Sequence, residues 1–483
     1  MEATVYDKYE VVIGLEVHAQ LMTKSKIFAA DSTEFGAAPN TQVSPITLAM
    51  PGTLPKLNKE VVDMAIKAGL ALNCNITEVN HFARKNYFYA DLPKGYQISQ
   101  DLTPICTGGF MDIEVAGDKR RIGITRIHME EDAGKNNHEL DPFFSLVDLN
   151  RAGVPLCEIV SEPDLRSSDE AYVYLTELRK LVRYLQVCDG NMEEGSMRCD
   201  ANISVRIKGV KTLGNRVEVK NMNSIRNVKR AIDGEVIRQI DIIEAGGTIE
   251  QQTRGFNPAD SSTAPLRSKE NAHDYRYFPE PDLPPLIIKE ERVQMVKATM
   301  PPLPHELVVK FTSEFGLSEY DAGVLTDERE IALYYVAMTE KTKNYKAAAN
   351  WVMGEVKSYL NQNASHIDDF ALQPQQIVAI IELVDNGTVS SSGAKKLFDA
   401  YVENPTANPL DLAKDSQLVQ NSDGDQLKTW AEEALAKFPA KVQEYKGGKK
   451  GILGLFMGEV MKLSGGQADP KAINKILQEL LEA

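Results

Sequence analysis

Between Val11 and Leu21 every odd position is apolar (Val11, Ile13, Leu15, Val17, Ala19, Leu21), while Glu16, His18 and Gln20 fall between them. Successive side chains of a strand point to opposite faces. The pattern therefore predicts a strand with one buried face and with Glu16 and His18 side by side on the other, roughly 7 Å apart. The pattern recurs from Arg198 to Ile207. Cys199, Ala201, Ile203, Val205 and Ile207 point one way, and Arg198, Asp200, Asn202, Ser204 and Arg206 the other. Arg216 to Lys220 repeats it in brief. Such strands need a cover for their apolar faces, and two amphipathic helices are legible. Asn58 can cap one whose face is Val61, Ala65, Ala68 and Leu72. Ser167 and Glu170 can form a capping box for one facing inward with Ala171, Leu175, Leu178, Val182 and Leu185. The result is an α+β layer whose polar sheet face is free to be the floor of a site.

The first part of the chain, to about residue 290 by domain-size reasoning, is strand-rich, and helical periodicity dominates after Lys289. Prolines 279, 281, 284, 285, 301, 302 and 304 mark the junction, and further breaks fall near Pro405–Pro409 and Gly447–Gly451. The expected division is 1–292, 293–408 and 409–483. At 43% hydrophobic the 483-residue chain can bury ordinary cores. Its net charge of −15 excludes a generally basic nucleic-acid binder, so contacts to RNA must come from local patches. The five cysteines form no CxxC pair, which predicts a reducing compartment. No secretory signal or membrane span is expected, which makes the chain a cytoplasmic one.

Five constellations can carry chemistry. Glu16 and His18, with His128-Met-Glu-Glu-Asp132, Glu158 and Glu162, offer oxygen ligands for a hard divalent cation, or else form a solvated sheet face. Arg84 to Gln97 interleaves basic and aromatic residues, as phosphate and base contacts require, or is a strand with core aromatics; Lys94-Gly95 suits a loop close to phosphate. There is neither a P-loop nor a GxGxxG. Glu194, Arg198, Asp200 and Lys220 mix the charges that phosphoryl transfer uses, or are cross-strand ion pairs. Asp274 to Asp282 places Arg276 between two tyrosines, for an anion or as a packed anchor. From Lys441 onward seven lysines face five acids in an acidic chain, which suits an RNA backbone or a plain charged helical domain. No activated nucleophile of the amidase kind stands out.

Several segments carry a resemblance. They are Val12-Ile-Gly-Leu-Glu-Val-His18, Arg84-Lys-Asn-Tyr-Phe-Tyr89, Tyr96-Gln-Ile-Ser-Gln100, Ile124-Thr-Arg-Ile-His-Met-Glu-Glu-Asp-Ala-Gly134, Asp148-Leu-Asn-Arg151, Glu158-Ile-Val-Ser-Glu-Pro-Asp164, Met192 to Asn202, Asp274 to Asp282 and Asn350-Trp-Val-Met-Gly354. In this order, over essentially the whole chain, they resemble the B subunits of the Glu-tRNA(Gln)/Asp-tRNA(Asn) amidotransferases. The resemblance implies an α+β catalytic cradle, mostly antiparallel and similar to the glutamine synthetase and guanido kinase class, followed by an all-α linker and an all-α tail that touches tRNA. It implies an ATP-dependent carbon–nitrogen ligase that phosphorylates the side-chain carboxylate of misacylated Glu-tRNA(Gln) or Asp-tRNA(Asn). It further implies that ammonia comes from glutamine through the amidase, or A, subunit, in a heterotrimer completed by the small C subunit. Mg²⁺ is expected on Glu16, His18, Glu131 and Glu158. Glu131, Glu158, Arg198 and Lys220 are the expected catalytic groups, and Arg84, Lys85, Lys94, Ser196 and Arg276 the expected nucleotide contacts. The tail's Lys446, Lys449, Lys450 and Lys462 are expected on tRNA. Zinc-bearing relatives carry cysteine pairs where this chain has Ala29-Ala-Asp31 and Ser44-Pro-Ile-Thr47, so zinc is not expected here. The tail's usual Gly-Lys-Ala-Asn-Pro reads Gly466-Gln-Ala-Asp-Pro470, one basic contact fewer. A catalytically inert tRNA scaffold and a stand-alone ligase using free ammonia are the alternatives.

Overall fold

The computed structural model describes residues 5–138, 140–267, 275–420 and 423–482. The chain forms two units, Met1–Leu303 and Pro304–Ala483. Asp274, the first residue of the Asp274–Asp282 segment, lies outside the described residues.

The site-building strands of the first unit are β1 (Tyr9–Gln20), β2 (Ala83–Asn86), β3 (Tyr96–Ser99), β4 (Asp118–Glu131), β5 (Pro155–Ser161), β6 (Met197–Ile207), β7 (Val217–Met222), β8 (Gln252–Asn257), β9 (Ser262–Arg267) and β10 (Arg276–Pro279). Its helices are α1 (Lys59–Ala71), α2 (Ser168–Tyr184), α3 (Ile225–Glu244) and α4 (Glu290–Ala298). The central sheet runs β9-β8-β7-β6-β1-β5-β4 and continues into the short strands Cys106–Thr107 and Asn75–Ile76. Its pairs are antiparallel apart from β7–β8. A parallel pair needs a crossover, and α3 supplies it.

The alternation of β1 and β6 is realised as burial. Ile13, Leu15 and Val17 of β1 and Ala201 and Ile203 of β6 pack in one core with Val61 and Ala65 of α1, Leu175 and Leu178 of α2, and Ala231 and Ile232 of α3. Each buried Ile, Leu or Val among them contributes about 1.5–3 kcal/mol, enough to fix which face is inside. The caps differ slightly from the sequence expectation. Asn58 accepts from Glu60 N at 2.9 Å. Ser167 accepts from Glu170 N at 3.1 Å, but Glu170 reaches back to Arg166 N rather than to the cap itself, so the box closes one residue early.

A second, three-stranded sheet, β10-β2-β3, is joined to the end of β4. Ile98 N donates to Glu131 Oε1 at 2.8 Å, and Gln97 Nε2 to Glu131 O at 2.6 Å.

The second unit is helical from Pro304–Ser313 to Pro470–Glu482. Prolines 304, 409 and 470 each open a helix, where a missing N–H costs nothing. Within this unit Leu427, Ala431, Phe456, Val460, Ile473 and Leu477 form a separate core. Among the described residues no helix is long and apolar enough to cross a membrane.

Candidate active site

The polar face of the central sheet is built by register. Arg198 of β6 lies opposite His18 of β1, His18 opposite Glu158 of β5, and Glu158 opposite His128 of β4. Glu16 faces Asp200 in the same way. The side chains converge. His18 Nε2 lies 3.3 Å from Glu158 Oε2, 3.4 Å from Glu130 Oε1 and 3.9 Å from Glu16 Oε1. His128 Nε2 lies 3.4 Å from Glu158 Oε2 and 3.5 Å from Glu130 Oε2. Glu16, His18 and Asp200 form one group of potential metal donors, and His18, Glu130 and Glu158 another.

These groups perturb one another. Burial works against the charged imidazoles, but hydrogen bonds to Glu130 and Glu158 outweigh it and push His128 up to about 9. For His18 burial is likewise outweighed, by a hydrogen bond to Glu158 and by the charges of Glu130 and Glu158, and its pKa is raised. Burial also opposes the Glu158 carboxylate, yet His128 and His18 together hold it well below the usual range. Glu16 is raised by burial and by the neighbouring Glu158 charge.

These values predict a pH dependence for the chain without divalent cations. The folded-state pKa of His128, about 9, exceeds the ordinary 6.5, so the native state holds this proton more tightly than the unfolded one. That stability is fully present below pH 6.5 and is lost as pH rises through about 9. Melting temperature measured in EDTA should fall across that window. A flat profile would contradict the imidazolium–carboxylate pairing.

A cavity of about 560 Å³ opens over this cluster, walled by Lys85, Arg126, Lys220, Tyr275 and Tyr277. Lys85 stays charged against burial because Glu130, Tyr277 and Glu158 face it; its ammonium lies 4.7 Å from the Tyr275 ring centre. Lys220 bonds to Asp200 and lies 2.9 Å from Glu218. Burial works against its charge, but Asp200 and Glu218 raise its pKa. A register shift beside Asp200, with Asn221 at φ 67°, marks the bulge next to it.

Glu16, His18, Glu158, Lys85 and Lys220 are thus brought together as the sequence suggested, and several other residues are not. Glu131 is the main departure. Its carboxylate accepts from Lys94 and from Ile98 N on the far side of β4, and Glu130 takes the place in the cluster. Arg198 is forked onto Asp132 at 2.8 and 3.1 Å. Arg84 is forked onto Glu280 at 2.8 and 2.9 Å, with its guanidinium 4.4 Å from the Tyr96 ring centre, so it clamps β2 to the chain after β10. Ser196 is buried, and its carbonyl accepts from Gln20 N at 2.7 Å. Arg276 is exposed on β10. Lys446, Lys449, Lys450 and Lys462 are all exposed; Lys449 lies 3.2 Å from Glu444, and Lys450 lies over Tyr445. At the positions of the absent cysteine pairs, Asp31 accepts from Ser44 Oγ at 2.8 Å and from Thr47 Oγ1, which ties the two segments together.

Sequence reasoning grouped His128 and Glu130 with the carboxylates but gave neither a role, and it missed Arg126 as a cleft group, although the signal was present. Ile122 and Ile124 are buried, and so are Ile127 and Met129, so the apolar parity of β4 flips between Ile124 and Ile127. After the flip, Glu131 shares the apolar side, while Arg126, His128 and Glu130 share the polar one. A direct test compares Glu130→Gln with Glu131→Gln by Mn²⁺ titration calorimetry. Affinity should drop at least about tenfold in the first and stay within about twofold in the second. The reverse order would return Glu131 to the cluster.

Comparisons with known proteins agree across the chain. Residues 11–294 match the family described as GatB/GatE catalytic domain, and residues 333–481 match the one described as GatB domain. The chain is 50% identical to an aspartyl/glutamyl-tRNA(Asn/Gln) amidotransferase B subunit of Syntrophotalea carbinolica, over 98% of this chain and 99% of that one. It is 51% identical to the protein of that name in Geobacter sulfurreducens and 52% identical to that of Geotalea uraniireducens, with the same coverage.

Proposed function

Because the chain belongs to the family of aspartyl/glutamyl-tRNA(Asn/Gln) amidotransferase B subunits, we propose that it activates the side-chain carboxylate of Glu or Asp carried on a misacylated tRNA. ATP is the phosphoryl donor. The observation that carries this reading is the convergence of Glu16, Glu130 and Glu158 on His18, with Glu16 and Glu158 lining a cleft that also holds Lys85 and Lys220.

The donor set, carboxylates with one imidazole, fits a hard divalent cation such as Mg²⁺. His18 with Glu130 and Glu158, or with Glu16 and Asp200, would hold such a cation, and it would supply charge neutralisation of the polyphosphate. Lys85 and Lys220 add positive charge from the walls, in keeping with phosphoryl transfer as a matter of positioning and charge stabilisation. In the first step a substrate carboxylate oxygen forms a bond to the γ-phosphorus as the bond to the ADP oxygen breaks. Tyr275 and Tyr277 line the same cleft, and exclusion of water there by the bound substrate would protect the acyl phosphate. In the second step ammonia adds to the acyl carbon, phosphate leaves with the C–O electron pair, and nitrogen loses a proton to give the amide.

Ammonia is released from glutamine by the amidase, or A, subunit, and the small C subunit completes the heterotrimer. The first unit is a cradle of the glutamine synthetase and guanido kinase kind. The helical part divides near residues 408 and 409 into a linker and a tail whose exposed Lys446, Lys449, Lys450 and Lys462 meet the tRNA backbone. The cysteines Cys74, Cys106, Cys157, Cys188 and Cys199 are free and buried, which suits the cytoplasm.

The test is ATP hydrolysis by the assembled complex with Glu-tRNA(Gln) or Asp-tRNA(Asn), each against a correctly charged tRNA. Hydrolysis confined to misacylated tRNA is the expected result and names the substrate. Hydrolysis indifferent to the aminoacyl group would remove the reading.

A further inference from the structure

Most cations placed by sequence on or near the polar face are already engaged. Arg198 is forked onto Asp132, Arg84 onto Glu280, Lys94 is bonded to Glu131, and Lys220 sits between Asp200 and Glu218. Arg126 differs. It lines the cavity with its side chain 42% exposed, and among the described residues its one ion contact is Glu158 Oε1 at 3.8 Å. That separation is too long for a hydrogen bond. The guanidinium therefore keeps its paired N–H donors for something else.

Its position is built into the strand. The register of β4 against β5 shifts between Val160 and Ser161, which face Arg126 and Ile124 and leave Thr125 as the extra residue. Without this bulge Arg126 would follow Ile122 and Ile124 into the core. With it, the side chain turns onto the cleft face two residues from His128. A bulge interrupts the ladder and re-aims a side chain, and here the side chain re-aimed is a cation at the mouth of the site.

We propose that Arg126 receives the side-chain carboxylate of the aminoacyl group on misacylated tRNA. This rests on reading the cleft as the activation site. A planar fork matches a planar carboxylate, whereas the point charges of Lys85 and Lys220 suit a polyphosphate. The aminoacyl group enters from solvent while tethered to RNA, so its receptor must be reachable from the mouth, and Arg126 is. In the fork each carboxylate oxygen accepts one N–H and keeps a further lone pair, and with that lone pair one of them attacks phosphorus. The long stem, whose one ion contact among the described residues is the distant Glu158, can follow a carboxylate displaced by one methylene. The same residue therefore serves both Asp and Glu.

The experiment uses the assembled amidotransferase with Arg126→Ala and Arg126→Lys. Initial rates give kcat and the separate KM values for Glu-tRNA(Gln), Asp-tRNA(Asn) and ATP, and affinity for deacylated tRNA reports an intact fold. Arg126→Ala should raise KM for both aminoacyl-tRNAs at least about tenfold and leave KM for ATP within about twofold. Arg126→Lys, which keeps charge and loses the fork, should fall between. A rise in KM for ATP instead would assign the fork to the triphosphate and overturn the proposal. Unchanged KM values with normal tRNA-dependent ATP cleavage would overturn it alone. Absence of that cleavage in the unsubstituted enzyme would overturn the activation reading and this proposal with it.

Discussion

Glu158→Gln should lower misacylated-tRNA-dependent ATP cleavage by about 10³-fold while leaving the glutaminase activity of the amidase partner measurable. Glu158 is the hub of the cluster. One oxygen faces His18 at 3.3 Å and His128 at 3.4 Å, and the other faces Arg126 at 3.8 Å. The amide keeps the size and removes the charge. That change weakens any cation held with Glu16, His18 and Glu130, and it removes one of the two counter-charges that raise both imidazoles. The substitution therefore acts on chemistry more than on packing. Its readout is the ratio of phosphate released with misacylated tRNA to glutamate released by the glutaminase reaction in the same complex. Retention of more than about a tenth of the cleavage would place the reaction elsewhere.

The largest effect on stability is expected at a residue far from the cluster. Glu235 of α3 is fully buried. Its carboxylate accepts from Arg238 at 2.6 and 2.9 Å, from Gln239 Nε2 at 2.9 Å and from Thr263 Oγ1 of β9 at 2.8 Å, and it lies 3.6 Å from Arg254 of β8. It ties the crossover helix to the two strands at the end of the sheet. Glu235→Ala leaves Arg254 buried without its counter-ion and several donors without an acceptor. Breaking a buried network on one side in this way costs about 3–5 kcal/mol. Urea unfolding followed in the strand-rich unit should show that loss as a lower midpoint at similar slope. A change under about 1 kcal/mol would mean that the network is hydrated or redundant.

The two predictions differ in how far they could be read from sequence. Glu158 sits in a legible strand segment beside other carboxylates and stands out there. Glu235 looks like one more charge on a helix, Ile225–Glu244, that carries many. Its burial depends on β8 and β9 being laid against α3, and nothing local announces that.

The sequence by itself determined several elements and their faces. Period-two alternation fixed β1 and β6 and set Glu16, His18 and Asp200 on one side, because apolar burial leaves a strand only one orientation. Cap residues and helical periodicity located α1 and α2 in the same way. The proline-rich stretch near 279–304 placed the change from sheet to helix. What only the tertiary structure decided was the partner of each charge. Arg198 with Asp132, Arg84 with Glu280 and Lys94 with Glu131 are pairs far apart in sequence. Whether a cation is engaged or free depends on which strands become neighbours. The choice between Glu130 and Glu131 turned on a single bulge, since one extra residue in a strand exchanges its two faces. The same exchange carried Arg126 from the core side to the cleft.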